Sequence, residues 1–134
     1  MNLAETMKSV FSRVTAISLL LLLSACYSLT QDRIEITLVN ESNNPSMTYT
    51  HVSVISGGDK FTWSEVTPNE TKRVTLVPGK TSDPKVTLIY TLGREKKFWE
   101  SESLSPGVGY RVTLSIDAAA KAYGNVCQLP CSHS

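Results

Sequence analysis

The chain has 134 residues, with 13 Lys and Arg against 12 Asp and Glu and a formal net charge of +1. Cations this scattered do not make the Lys/Arg stripe that phosphate-backbone binding needs, which argues against nucleic acid as a partner. Two histidines and three cysteines leave little material for nucleophilic catalysis or metal binding.

Lys8 and Arg13 precede an apolar run that ends at the small pair Ser24-Ala25. The run is about a dozen residues long, short of the roughly 20 that cross a bilayer's hydrocarbon core. Positive, apolar and small-residue parts in that order predict a cleaved export signal over residues 1–25. Glu5 is unusual in such a region, and a start at Met7 gives the more ordinary opening "MKSVFSRV".

Leu23-Ser24-Ala25-Cys26 resembles the lipobox of bacterial lipoproteins at all four positions. The resemblance implies a diacylglyceryl group on the Cys26 thiol, cleavage before Cys26 and acylation of the new N-terminus. Two or three acyl chains hold a protein stably to a bilayer, at about 0.8 kcal/mol per buried CH₂, where one chain does so only marginally. Tyr27 follows the cysteine where an aspartate favours inner-membrane retention, so the family's sorting rule implies an outer-membrane lipoprotein facing the periplasm of a diderm host. The alternative is a plain secretory signal that leaves Cys26 as a free thiol. Residues 26–32 form a short polar tether.

Losing Lys8, Arg13 and Glu5 with the signal leaves charges balanced in a mature part of single-domain size. That part reads as strands by its period of two. In "RIEITLVN", Ile34, Ile36 and Leu38 point one way and Glu35 and Thr37 the other. "MTYTHVSVIS", "KFTW", "TKRVTLV", "KVTLIYTL" and "KKFWES" follow, each rich in β-branched or aromatic residues. In "YRVTLSID", Tyr110, Val112, Leu114 and Ile116 alternate with Arg111, Thr113 and Ser115. Turn signals such as Gly57-Gly58-Asp59, Pro68-Asn69 and Gly93-Arg94 separate them. The pattern predicts an antiparallel β-sandwich of about seven strands over residues 33–117, with a small closed β-barrel as the alternative. The spacing resembles the small Ig-like domains of bacterial envelope proteins, without their inter-sheet cysteine pair.

Alternation places His51 with Tyr49 and Ser53, opposite Val52 and Val54, as a solvated strand histidine. Trp63 and Phe61 are expected in the core. Phe98 and Trp99 are adjacent, so their side chains should leave opposite faces of one strand. One is then core, and the other, beside Lys96 and Lys97, is a binding candidate for a protein or glycan unless the fold covers it. Glu100 and Glu102 share a strand face at a glycosidase-like spacing, but exposed charges that discourage edge-to-edge pairing explain them more simply. Asn40-Glu41-Ser42 and Asn69-Glu70-Thr71 match the glycosylation sequon, a chance match in a bacterial chain.

The stretch 118–134, "AAAKAYGNVCQLPCSHS", is expected to form a C-terminal tail: one helical turn over the alanines, then irregular chain after Gly124. Cys127 and Cys131 are expected to form a local disulfide in an oxidising compartment. The alternative adds His133 to make a soft ligand set for copper(I) or zinc. Cys-x₃-Cys resembles the ligand pair of periplasmic copper chaperones, though theirs lies in a thioredoxin-like fold. The combined expectation is a lipid-anchored envelope protein without cofactor or catalysis, a binding or accessory module for another envelope protein. The other classes in view are a periplasmic inhibitor or immunity protein, and a copper- or redox-handling lipoprotein using Cys127 and Cys131.

Overall fold

The computed structural model describes residues 33–79 and 84–131. The expected export signal, Cys26 with the expected tether, and His133 lie outside the described residues. Eight strands are present: β1 (Ile34–Asn40), β2 (Tyr49–Ser56), β3 (Asp59–Val66), β4 (Thr71–Leu76), β5 (Thr87–Leu92), β6 (Glu95–Glu100), β7 (Tyr110–Ile116) and β8 (Ala122–Gln128). They form two four-stranded sheets of order β4-β1-β7-β8 and β3-β2-β5-β6. All neighbours are antiparallel except β1 and β7, which run parallel with Ile34 opposite Tyr110. The architecture is a β-sandwich, and the barrel alternative falls because the two sheets do not close.

Period-two alternation produces the two inner faces. Ile34, Ile36, Leu38, Val112, Leu114 and Ile116 from one sheet, and Val52, Val54, Leu88 and Tyr90 from the other, are buried in one core. Each fully buried aliphatic side chain of this kind stabilises the fold by about 1.5–3 kcal/mol. Tyr49 meets Tyr90 edge to face at 5.4 Å, an arrangement favoured by the ring quadrupoles. The open sides of the sandwich are each closed by a tryptophan. At the β3 side Trp63 packs partly buried against the core with Phe61 at 5.2 Å, but Phe61, expected in the core, is instead 42% exposed. At the β6 side the Trp99 ring lies over Gly124 of β8.

Two further expectations are corrected. Strict alternation fails in β2: His51 sits at φ 50 and the pairing with β5 shifts register between Thr50 and Ser53. This bulge brings Tyr49 into the core together with Val52 and Val54, leaving His51 exposed on an irregular position. The second concerns the tail, in which residues 122–128 form β8, fully paired with β7 from Ala122 opposite Ile116 to Gln128 opposite Tyr110. Three alanines are too few to offset helix nucleation, and Asp117 organises them as a turn instead. Its Oδ1 accepts the N–H groups of Ala119 and Lys121, both at 2.9 Å, and Ala120 takes φ 63.

The β3–β4 turn, Thr67-Pro68-Asn69-Glu70, is set by Pro68 and by Asn69 at φ 60. Glu70 Oε2 accepts from Thr67 N–H at 2.8 Å and Thr67 Oγ1–H at 2.7 Å, and Lys72 pairs with Oε1. The hydrogen bond from Lys72, followed by those from Thr67, lowers the Glu70 pKa to about 2. A carboxylate whose pKa falls on folding contributes stability above its unfolded value and loses it as pH drops through the folded one. Stability attributable to Glu70 is therefore complete above about pH 5 and lost towards pH 2. In Glu70→Gln this part of the acid dependence should disappear from urea titrations between pH 5 and pH 2; an unchanged acid slope would show that the turn does not use the charge.

Candidate binding surface

The β5–β6 hairpin fixes what each β6 side chain faces. Leu92 pairs with Glu95 across the two-residue loop Gly93-Arg94, with Gly93 at φ 62, a backbone region that glycine enters without steric cost. From that register Lys96, Phe98 and Glu100 lie opposite Thr91, Ile89 and Thr87, while Lys97 and Trp99 lie opposite Tyr90 and Leu88. Since Tyr90 and Leu88 are core residues, Trp99 is the inward partner and Phe98 the outward one.

Phe98 is 77% exposed, the most exposed of the large hydrophobic side chains among the described residues. Trp99, also a binding candidate from sequence, is instead taken up in closing the sandwich over Gly124. Lys96 shares the outward face with Phe98, whereas Lys97 shares the face of Trp99, opposite Tyr90. A groove of about 380 Å³ opens between these lysines and the β7–β8 turn, lined by Tyr90, Phe98 and Lys121 and floored by Ala119, Ala120 and Ala122. The Tyr90 hydroxyl donates to Ala120 O at 2.9 Å, so a core side chain ties the turn to the β5–β6 hairpin.

The charges of the surface are unevenly compensated. Lys97 pairs with Glu95 at 3.4 Å, and Glu100 pairs with Lys85 at 3.0 Å; ion pairs at such exposed positions are worth about 0–1 kcal/mol. Lys96 forms no salt bridge among the described residues, and Lys121 stands 5.2 Å over the Tyr123 ring. Asp117 precedes the β7–β8 turn, and its carboxylate Oδ1 accepts from the Ala119 and Lys121 N–H groups. The Lys121 N–H bond is the main cause that lowers its pKa. The surface is thus an exposed aromatic ring framed by ammonium groups.

The other residues considered from sequence are not brought together. His51 is on the β2 bulge, and Glu100 is held by Lys85 while Glu102 lies beyond the end of β6. Asn40 of the first sequon is buried and Asn69 of the second is in an exposed turn. Cys127 and Cys131 form a disulfide with Cα atoms 5.8 Å apart, a separation normal for such bonds. In that state they offer no thiolate pair to a metal, and no group of three His, Cys, Asp or Glu among the described residues is placed to hold one. Lys121, Tyr90 and the alanine floor were not legible as part of the surface, because they reach it only through the β7–β8 turn.

No family model matches the chain, and no curated protein matches it. Among solved structures, it is similar to the NMR structure of a protein from Eubacterium rectale at 18% identity and a TM-score of 0.46, covering 75% of this chain and 94% of that one.

Proposed function

We propose that the protein is a lipid-anchored lipoprotein of the bacterial cell envelope, held in the outer membrane facing the periplasm. It acts without catalysis, as a binding or accessory module for another envelope protein. The observation that carries this reading is Leu23-Ser24-Ala25-Cys26 at the end of a short apolar run behind Lys8 and Arg13. The step from Cys26 to Ile34 at the start of β1 reaches at most about 27 Å even when fully extended, at ~3.4 Å per residue. The sandwich therefore stays close to the bilayer that holds the lipid. Confinement of this kind raises the effective concentration of a module near its envelope partners, so a modest contact suffices.

The Phe98 surface supports the binding part of the reading. A large exposed ring costs solubility unless it is used, and aromatic anchors carry a large share of interface energy. In Cys26→Ala the protein should leave the membrane fraction, and labelled palmitate should enter the wild type alone. A variant that still sediments with membranes, together with a wild type that takes up no label, would overturn the anchor.

A further inference from the structure

The two ends of the sandwich differ, and the chain enters at only one of them. At the entry end lie the start of β1, the end of β4 and the start of β7, since Ile34 pairs with both Leu76 and Tyr110. The β2–β3 turn joins this end through Gly57 O, which accepts from Gly79 N–H at 3.2 Å, and Asp59 Oδ2, which accepts from Val77 N–H at 2.9 Å. The β5–β6 and β7–β8 turns are at the other end, linked by the Tyr90–Ala120 hydrogen bond. A strand the length of β7 separates the ends by about 20 Å, at ~3.3 Å per residue.

The aromatic and cationic groove belongs to the end away from the chain entry. Two properties define what fits it. Lys96 and Lys121 both line it and form no salt bridge among the described residues, Lys121 acting on Asp117 only at longer range, which favours an anionic occupant. Beside them β6 is an edge strand, hydrogen-bonded to β5 alone. The free backbone groups of an edge are matched by another peptide backbone, the basis of recognition by strand addition.

We propose that an extended, acidic segment of another envelope protein docks along the first half of β6, its carboxylates on Lys96 and Lys121 and an apolar side chain against Phe98 and the alanine floor. This deepens the envelope-module reading and rests on it for the identity of the compartment. Lipid headgroups share the negative charge but have no peptide backbone to match the β6 edge. A glycan could stack on Phe98, yet it has no backbone amides for the β6 edge.

The test uses the full chain in intact cells, with a benzophenone-bearing phenylalanine analogue at position 98 so that the ring is kept. The same analogue at Thr37, on the outer face of the other sheet, is the control. Irradiation should give an adduct at position 98 whose digest maps to an Asp- and Glu-rich segment of an envelope protein. Lys96→Glu with Lys121→Glu should lower its yield about tenfold or more, and Lys96→Arg with Lys121→Arg should keep it, as expected for a contact governed by charge complementarity. An unchanged melting temperature for the double reversal excludes unfolding as the cause of the loss. An adduct to lipid or glycan, a yield indifferent to charge reversal, or none above the Thr37 control overturns the proposal. Palmitate labelling of the same cells separates the two claims. A charge-dependent adduct on an unlabelled chain leaves the docking surface and removes the anchor, and a labelled chain without an adduct does the reverse.

Discussion

Asn40→Ala is expected to destabilise the domain by about 3 kcal/mol, the sum of lost hydrogen bonds and of buried carbonyls left without donors. The side chain is 0% exposed at the end of β1. Its Nδ2 donates to Met47 O at 2.8 Å and Val66 O at 3.3 Å, and its Oδ1 accepts from Ser42 N–H at 3.1 Å. Its backbone also bonds the β3–β4 turn, donating to Glu70 O at 3.0 Å and accepting from Asn69 N–H at 2.9 Å. One residue therefore ties β1 to the β1–β2 loop, the end of β3 and the next turn. Asn40→Asp should fare no better at neutral pH, because it turns a donor into a charged acceptor facing two carbonyl oxygens. Urea unfolding at pH 7 measures both, and a loss below about 1 kcal/mol would mean that water replaces the side chain's bonds.

Gly124→Ala is expected to cost about 2 kcal/mol, in the range of small-to-large substitutions that meet a packed neighbour. A Cβ at this position would overlap the Trp99 ring, with Cε2, Cζ2 and Cη2 as its nearest atoms. The ring can move only outward, away from the core it partly closes. Tryptophan emission should therefore shift to the red along with the loss of stability. In a Trp99→Leu background the same Gly124→Ala change should cost little, a coupling read by a double-mutant cycle. Equal costs in the two backgrounds would show that the ring and the glycine do not share the space.

These two residues also show why parts of the structure were hidden in the sequence. The expected strands announce themselves by alternation in β1 and β7 and by β-branched or aromatic content in the other five. β8 does not: its inward positions are Ala122, Gly124 and Val126, opposite Ile116, Leu114 and Val112 of β7. Trp99 supplies across the sandwich the bulk that β8 itself lacks, so the strand is small where a strand pattern would be large. Asn40 reads as half of a sequon because its partners, Met47 O and Val66 O, are backbone atoms that leave no sequence signature. The β2 bulge is similarly silent, as alternation cannot reveal that His51 adopts φ 50.

The binding surface was legible in part for the same physical reasons. Adjacency of Phe98 and Trp99 in a strand requires them to face opposite ways, which identifies one exposed ring without saying which. The choice follows from the Gly93-Arg94 loop, whose register with Leu92 and Glu95 turns Trp99 toward Leu88. Lys121 joins the surface through a turn built by Asp117, a contact of tertiary structure rather than of pattern.

The most direct test of the account is the intact mass of the protein extracted from membranes, with fragmentation of its N-terminal peptide. A mature chain that begins at Cys26 and carries a diacylglyceryl group, with or without a further acyl chain on its amine, is the predicted result. A chain in which Cys26 is internal, or first but unmodified, would contradict it.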